Sequence, residues 1–452
     1  MFHGKSYYKW IILVVCILIY SSGNLVRWNY TGISSYLMSE WSIGKPELGI
    51  IGAAYFYAYA LGQSPWGSFT DLLGGRKVIP IGVGITALLF ALFSLVDGYT
   101  QALLVRTVMG FVGAATFIPC MAILSRWFAK KERGLVLSIF SGAGAGMGEI
   151  WAFLLMPLIS LFLIDGTTIF GLGSWRASTF IMSFVVIMIA VIGYFGIRSD
   201  PSELGLPSVQ AKEDTKKATS TSYKEMILQA LRDPAFWVVS LVTQGFIVCL
   251  RLIPGWLPLY AATYYIQTAG MSKAEAMVAG GIMATASTAG RIVGAPVLSK
   301  LSDYLLERHN VPRMIFVSAI QITLFICLYI LTVAVPGPIF LAVLSFVIGT
   351  LISMFTLTYA AVAEIWSIKA GGALMGMINT IGQFIGATAL ALSGFMAAKF
   401  SIAGGAYNVE YRGIWYLAMI FCGLAVIASI FATYREKKAI RERAALASAE
   451  GK

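Results

Sequence analysis

The sequence predicts an all-α membrane protein with twelve transmembrane helices in two pseudo-symmetric six-helix bundles. The first observation behind this fold class is composition, since 58% of the 452 residues are hydrophobic and only 12% are charged. Soluble domains carry about twice that share of charged residues. The second is a series of apolar runs long enough to cross a bilayer, and the third is a set of landmarks that recurs in both halves of the chain.

The apolar runs are assigned in chain order as helices, because about 20 apolar residues are needed to cross the hydrocarbon layer. The predicted spans are 10–38, 46–70, 78–97, 100–128, 134–164, 174–198, 234–266, 274–304, 313–335, 337–366, 371–398 and 412–434.

A polar segment rich in Pro, Ser and Lys interrupts this pattern at residues 199–232 and is predicted to be a cytoplasmic linker. It separates an N-terminal six-helix bundle (1–198) from a C-terminal one (233–435). A basic cytoplasmic tail (436–452) follows.

Recurring landmarks indicate that the six-helix unit is duplicated. Asp71 follows the second span and Asp303 follows the eighth, 232 residues later. Arg27 in the first span and Arg251 in the seventh are 224 residues apart. Near-constant offsets are expected when one half derives from a copy of the other. Parallel repeats of this kind are a known transporter architecture.

The net charge of +12 is distributed asymmetrically. Most Lys and Arg residues flank the ends of the spans on the side that carries both termini. The positive-inside rule therefore predicts cytoplasmic termini and a multi-pass location in the inner (cytoplasmic) membrane. Because the basic excess is explained as a topology signal, a nucleic-acid partner is excluded, and the lipid bilayer is the expected surrounding.

The sequence contains no motif that indicates a metal site, a cofactor site or an enzyme active site. The five cysteines are scattered through apolar runs, and the two histidines, His3 and His309, lie in polar end or loop positions. The chain has no nucleophile–base–acid set and no P-loop. We therefore predict neither an enzyme nor an ATP-driven pump.

Two arginines lie at nearly matched depth in apolar spans. Arg27 and Arg251 each follow the start of a span by about 17 residues, or about 25 Å along a helix. An arginine there costs at least ~2.5–3.5 kcal/mol on insertion scales, so it should face a cavity or a partner. The repeat relationship predicts that both serve one anion-binding site.

Polar side chains at helical spacing accompany these arginines and are candidate substrate-binding residues, although lipid-interface or packing roles are an alternative for each. The candidates are Asn24, Tyr30 and Thr31 near Arg27, Tyr55 and Tyr59 on the second span, Gln244 and Tyr260 near Arg251, and Asn379 and Gln383 on the eleventh span.

Two further charged residues lie inside apolar spans. Arg106 lies in the fourth span, where a structural arginine would snorkel to the membrane interface. Glu149 lies in the fifth span, where a buried carboxyl group is a candidate proton carrier, and the alternative is a fixed salt bridge to Arg27 or Arg106. Gly144 and Gly148 precede Glu149 and predict a close helix crossing.

Several motifs resemble the major facilitator superfamily. GSFTDLLGGRK, with Asp71 and Arg76, resembles its signature loop, although Leu72 replaces the usual arginine. The segments around LVRWN (25–29) and LRLIPGWLPLY (250–260) resemble the first and seventh helices of its organophosphate antiporters and anion:cation symporters. The segment RTVMG (106–110) resembles the superfamily's intramembrane Arg-x-x-x-Gly motif. The resemblance implies that Arg27 and Arg251 bind the anion and that Arg106 is a candidate for proton coupling. It also places Gly144 where the antiporters have a histidine.

The combined prediction is a secondary active transporter of a small organic anion, such as a carboxylate, a sulfonate or a phosphate ester, that works by alternating access. Proton-coupled symport by a monomer is favoured, and exchange against phosphate or another anion is the alternative. A transporter-like sensor that binds a ligand without moving it is a further alternative. Asp71, Arg76 and Asp303 are expected to brace helix ends.

Overall fold

A computed structural model describes residues 7–163, 171–206, 228, 231–334, 337–365, 368–401 and 407–450. Most of the predicted linker (207–227) lies outside the described residues. In the predicted tail only the backbone up to residue 450 and the side chains of residues 436–437 are described.

Among the described residues, nine α-helices precede the linker: α1 Tyr8–Gly32, α2 Ser34–Glu40, α3 Lys45–Leu73, α4 Gly75–Phe93, α5 Tyr99–Gly113, α6 Ile118–Trp127, α7 Lys130–Ile150, α8 Met156–Phe162 and α9 Ser174–Gly196. Seven described α-helices follow it: α10 Pro234–Ala269, α11 Lys273–His309, α12 Arg313–Val333, α13 Pro338–Ile352, α14 Phe355–Ile365, α15 Ile368–Phe400 and α16 Tyr407–Glu450.

The predicted all-α membrane fold is confirmed. Within the described residues, eleven helical spans are long and apolar enough to cross a membrane. The remaining predicted span corresponds to α3, which has 29 residues. Its interior carries Tyr55, Tyr57, Tyr59 and Gln63, which lower its mean hydropathy. This composition is expected of a helix whose tyrosine side chains face the protein interior.

Two predicted spans are helices with local breaks rather than single regular helices. A 3₁₀ turn, Ala114–Thr116, separates α5 from α6, and Pro119 follows it. A π-helical turn, Trp151–Leu155, separates α7 from α8, and Pro157 follows that turn. Proline lacks a backbone N–H and crowds the preceding turn, which accounts for both irregularities.

The chain packs as two compact units. The first unit comprises Met1–Ala218 and Gly255–Thr285, and the second comprises Thr219–Pro254 and Ala286–Lys452. The unit boundaries thus fall inside α10 and α11. The division into bundles 1–198 and 233–435 stays a prediction about the duplicated sequence.

Small residues bring the helices of the first unit into close contact. Gly110 of α5 lies against the backbone carbonyl of Tyr55 in α3, and Gly148 of α7 lies against that of Ser21 in α1. A Cβ atom at either glycine would overlap that backbone. Close approach of this kind is typical of membrane helices with small-residue interfaces.

In the second unit, a close glycine contact also joins two helices, and a buried carboxylate caps the start of a third. Gly349 of α13 lies against the carbonyl of Ser287 in α11. Glu436 of α16 is fully buried, and its two carboxylate oxygens accept hydrogen bonds from the backbone N–H groups of Arg313 and Met314 at 2.8 and 2.9 Å. These N–H groups begin α12 and have no partner within the helix, so Glu436 caps it from a neighbouring helix.

We expect Gly110→Ala to lower the melting temperature of the purified protein. The added methyl group meets the Tyr55 backbone, which cannot move aside as a flexible side chain would, and overpacking of this kind costs about 1–3 kcal/mol. Gly142→Ala is the matched control, since nothing lies within 4 Å of its Cβ position. Alanine there should leave stability unchanged or raise it, by up to about 1 kcal/mol. Equal melting temperatures for the two variants would show that the α3–α5 contact is not tight.

Candidate functional site

The Arg27 side chain is almost completely buried, with 6% of its surface exposed. Its Nη1 atom donates a hydrogen bond to Asn24 Oδ1, one turn earlier on α1, at 3.3 Å. Its guanidinium carbon lies 4.4 Å from the ring centroid of Tyr59 and 5.8 Å from that of Phe56, both on α3. The structure therefore brings two predicted neighbours, Asn24 and Tyr59, to this arginine, and a third residue, Phe56, that the sequence did not indicate.

One edge of the Arg27 guanidinium remains available to a ligand. Its Nε and Nη2 atoms are buried and have no hydrogen-bond acceptor among the residues that the structure describes. The N–H bond of Nε and one N–H bond of Nη2 point in the same direction, and this fork matches two oxygens of a carboxylate or a phosphate. Since buried donors almost always have acceptors, the edge is suited to an anionic ligand.

Arg106 is fully buried and binds the α1 helix beside Arg27. Its Nη1 atom donates to the carbonyl of Val26 at 2.7 Å and to Asn29 Oδ1 at 2.8 Å. Its Nη2 atom donates to the carbonyl of Arg27 at 2.8 Å. These bonds tie α5 to α1, so the guanidinium does not reach an interface as the snorkelling alternative required.

Two tyrosine rings enclose the Arg106 guanidinium. Its central carbon lies 4.8 Å from the ring centroid of Tyr30 and 4.7 Å from that of Tyr55. The Tyr55 ring stacks in turn on Tyr59, with centroids 6.2 Å apart and planes 16° apart. Tyr30 and Tyr55, which the sequence placed with Arg27, thus surround the second arginine of the cluster.

The glycines of α7 determine what lies beside α1. A Cβ atom at Gly144 would lie 2.7 Å from Cδ1 of Tyr20, so the Tyr20 ring fills the space into which a side chain at position 144 would project. A Cβ atom at Gly148 would lie 2.6 Å from Cβ of Asn24. Glu149 follows directly and is 2% exposed. Tyr20 escaped the sequence analysis because the aromatic ring of an apolar span is a common packing residue.

Arg251, in the second unit, is also buried, with 5% of its surface exposed. Its Nη2 atom donates to Gln383 Oε1 at 2.6 Å. Gln383 Nε2 donates to Asn379 Oδ1 at 3.3 Å, and the Tyr359 hydroxyl donates to the same oxygen at 3.4 Å. The structure therefore joins Gln383 and Asn379 to Arg251 as their spacing suggested, and it adds Tyr359 of α14.

Gln244 lies two turns before Arg251, and its hydrogen bonds are to other residues. Its Nε2 atom donates to Ser240 Oγ at 3.3 Å and to the carbonyl of Ile378 at 3.5 Å. Its Oε1 atom lies 2.9 Å from the Cβ position of Gly382 in α15. Gln244 thus packs α10 against α15.

The two remaining substrate-site candidates are fully buried. Thr31 lies near the end of α1, one residue beyond Tyr30. Tyr260 lies in the part of α10 that belongs to the first unit.

The residues expected to brace helix ends form ion pairs. Asp71, at the end of α3, accepts a hydrogen bond from Arg126 of α6 at 3.0 Å. Arg76 lies 3.8 Å from Glu203. In the second unit Asp303 accepts from Nη1 of Arg313 at 2.6 Å. The acidic residue of each signature-like loop therefore pairs with an arginine that follows it in the chain.

Metal-ligating side chains do not cluster in the part of the chain that the structure describes, where no group of three His, Cys, Asp or Glu residues could hold an ion. All five cysteines are buried as free thiols, and the Sγ atoms of Cys249 and Cys422 lie 3.6 Å apart.

Comparison with known proteins reveals similarity to membrane transporters. The chain is 24% identical over 267 residues to the glycerol-3-phosphate transporter of Haemophilus influenzae, a match that covers 56% of this chain and 55% of that protein. It spans only about half the length of that relative. It is 25% identical over 439 residues to the glycerol-3-phosphate transporter of Bacillus subtilis, which covers 92% of this chain and 93% of the relative.

The fold resembles that of a solved bacterial homologue of the human lysosomal transporter Spinster in its inward-facing, unoccupied conformation. The TM-score is 0.75 at 17% identity, with 96% of this chain and 98% of the other covered. The sequence itself matches the family model of the Major Facilitator Superfamily over residues 16–387 and again over 278–450. This protein is therefore a member of the Major Facilitator Superfamily.

Proposed function

We propose that this protein is a secondary active transporter of small organic anions. The observation that carries the proposal is the Arg27 edge, whose Nε and Nη2 donors are buried without an acceptor among the described residues. Arg251, its counterpart in the duplicated sequence, adds a second buried cation. The glycerol-3-phosphate transporters among the relatives support an anionic substrate and a transport function rather than an enzymatic one.

Binding of an anion would compensate the cost of burying these guanidinium groups. Charge-assisted bonds from an arginine fork are shorter and stronger than neutral hydrogen bonds. In our proposal both Arg27 and Arg251 contribute to recognition, and the two duplicated halves of the fold rock to expose the anion to either side of the membrane. We assign the inner membrane and cytoplasmic termini to this transporter on the charge pattern of the sequence. A monomer is part of the same proposal.

Arg106 has a positioning role in this proposal. Its bonds to the carbonyls of Val26 and Arg27 hold α1 at the position from which the Arg27 side chain projects. The Tyr30 and Tyr55 rings stabilise the Arg106 cation in place of a counter-ion. Arg106 can therefore stay charged without an ion pair to a carboxylate.

Proton symport is the favoured mode of coupling, with Glu149 as the carrier. Glu149 is buried next to the α1–α7 crossing at Gly148, so its charge is sensitive to the approach of an anion or a movement of α1. Exchange of the organic anion against an internal anion, such as phosphate, is the alternative mode. A sensor, the remaining alternative, would bind the anion without transporting it.

Substitution of either arginine is expected to abolish anion binding and uptake. A thermal-shift screen of glycerol 3-phosphate, glycerate and isethionate on the purified protein should find an anion that raises the melting temperature by mass action. Arg27→Ala and Arg251→Ala should each weaken its binding at least ~30-fold, because removal of one member of a buried charge pair costs about 2–5 kcal/mol. Uptake into proteoliposomes should fall to background.

Lys77→Ala is the control for the loss of a positive charge, since Lys77 is exposed at the start of α4. It should bind and transport as the wild type does. Arg27→Lys tests the fork itself, since lysine retains the charge but donates from a single point. Wild-type uptake by Arg27→Ala or Arg251→Ala would disprove the binding assignment, and binding by the wild type without uptake would favour the sensor.

Glu149→Gln separates symport from exchange. If Glu149 carries the proton, the variant should lose accumulation driven by an inward proton gradient but retain counterflow of labelled anion between equal pH values. The measurement is uptake into proteoliposomes with and without the gradient, with Glu132→Gln on the same helix as the control. Gradient-driven accumulation by Glu149→Gln at the wild-type rate would exclude Glu149 as the carrier.

A further inference from the structure

Arg291 is an intramembrane arginine for which the site described above has no role. It lies midway along α11, which runs from Lys273 to His309. A cation at the centre of a membrane helix costs ~2.5–3.5 kcal/mol on insertion scales, and such residues commonly line a substrate path. Its Nη2 atom donates to Thr288 Oγ1 on the preceding turn at 3.3 Å.

The exposure pattern of α11 directs Arg291 toward the protein interior. Thr288, three residues earlier on the same face, is 1% exposed. Val293 and Val297, which lie two and six residues later on the opposite face, are 50% and 58% exposed and form the apolar outer surface. Arg291 itself is only partly buried. A partly accessible cation on an otherwise buried face can meet a ligand that enters the protein.

The duplication identifies the residue of the first half that corresponds to Arg291. Arg291 precedes Asp303 by the same number of residues as Tyr59 precedes Asp71. At this register Ser287 corresponds to Tyr55, and the two residues make equivalent contacts. The carbonyl of Tyr55 meets Gly110, and that of Ser287 meets Gly349.

A second contact gives the same register. Gly62 of α3 lies against the backbone of Phe111 in α5, and the corresponding Gly294 of α11 lies against the backbone of Thr350 in α13. Two close helix contacts thus preserve the alignment of Tyr59 with Arg291. In the first unit the Tyr59 ring lies 4.4 Å from the Arg27 guanidinium.

Position 291 is therefore the counterpart of the residue that contacts the anion-binding arginine of the first unit. The first unit has a neutral aromatic ring there, and the second unit has a cation. Arg251 and Arg291 both belong to the second unit. Because like charges repel in a low-dielectric interior, a protein that retains both gains most from a ligand with more than one negative charge.

We propose that Arg291 is a further anion-binding residue and that the substrate is a small organic dianion, with its two charges on one phosphate group or on two carboxylates. The proposal rests on the proposed transport function. Arg106 keeps its charge, but its Nη1 and Nη2 atoms donate to α1, so it is not assigned as a direct contact of the ligand.

The test compares probes that differ in charge on the purified full-length protein at pH 7.5. Glycerate is a monoanion, glycerol 3-phosphate is largely a dianion because its second phosphate pKa is about 6, and malate is a dicarboxylate. Dissociation constants are measured by titration calorimetry for the wild type, Arg291→Gln, Arg291→Lys and, as a control on the same helix, the exposed Lys300→Gln.

The wild type should bind at least one dianion more tightly than glycerate. Arg291→Gln should weaken binding of that dianion at least tenfold and glycerate less than threefold, while Arg291→Lys and Lys300→Gln stay within about fivefold of the wild type. The dianion that binds more tightly, the phosphate ester or the dicarboxylate, identifies the substrate class.

This inference is overturned if Arg291→Gln weakens the binding of all probes equally, if it weakens none of them, or if the wild type prefers glycerate. If the wild type binds none of the three probes or the isethionate of the thermal-shift screen, the proposed function itself fails.

Discussion

A buried guanidinium group needs acceptors for its N–H bonds, and this requirement organises the first unit. Arg106 meets it at Nη1 and Nη2, with two backbone carbonyls and one amide oxygen of α1, and only its Nε lacks an acceptor among the described residues. In doing so it fixes α1 at the point from which Arg27 projects. Arg27 meets the requirement only in part, through Asn24 and the face of Tyr59. The first arginine is thus a structural element, and the second is left with donors for a ligand.

Close helix contacts make this arrangement possible. Arg106 reaches α1 from α5, and the neighbouring α3 can approach α5 because Gly110 has no side chain in the way of the Tyr55 backbone. The same contact places the Tyr55 ring over the Arg106 guanidinium. Small residues and charged residues in these helices therefore act together, since the glycines let the aromatic rings approach the cations.

The sequence predicted the fold and the burial of the two repeat-related arginines, because apolar runs and charge in a membrane segment have direct physical consequences. It also placed Gln383 and Asn379 on one face of a helix, and the structure joins them to Arg251. Helical spacing describes the face of a single helix and not the neighbour that meets it. For this reason the sequence did not indicate that the Tyr30 ring lies over Arg106, or that Tyr359 of another helix approaches Asn379.

The two arginines differ in what an arriving anion must displace. At Arg27 the Nε and Nη2 atoms have no acceptor among the described residues, so this edge can accept a ligand without losing a bond. At Arg251 the Nη2 atom already donates to Gln383 Oε1 at 2.6 Å. In the proposed transporter, an anion that bound at Nη2 would compete with this amide oxygen, which is a weaker acceptor than a carboxylate or phosphate oxygen. Because Gln383 is bonded in turn to Asn379 on the same helix, such competition would act directly on α15.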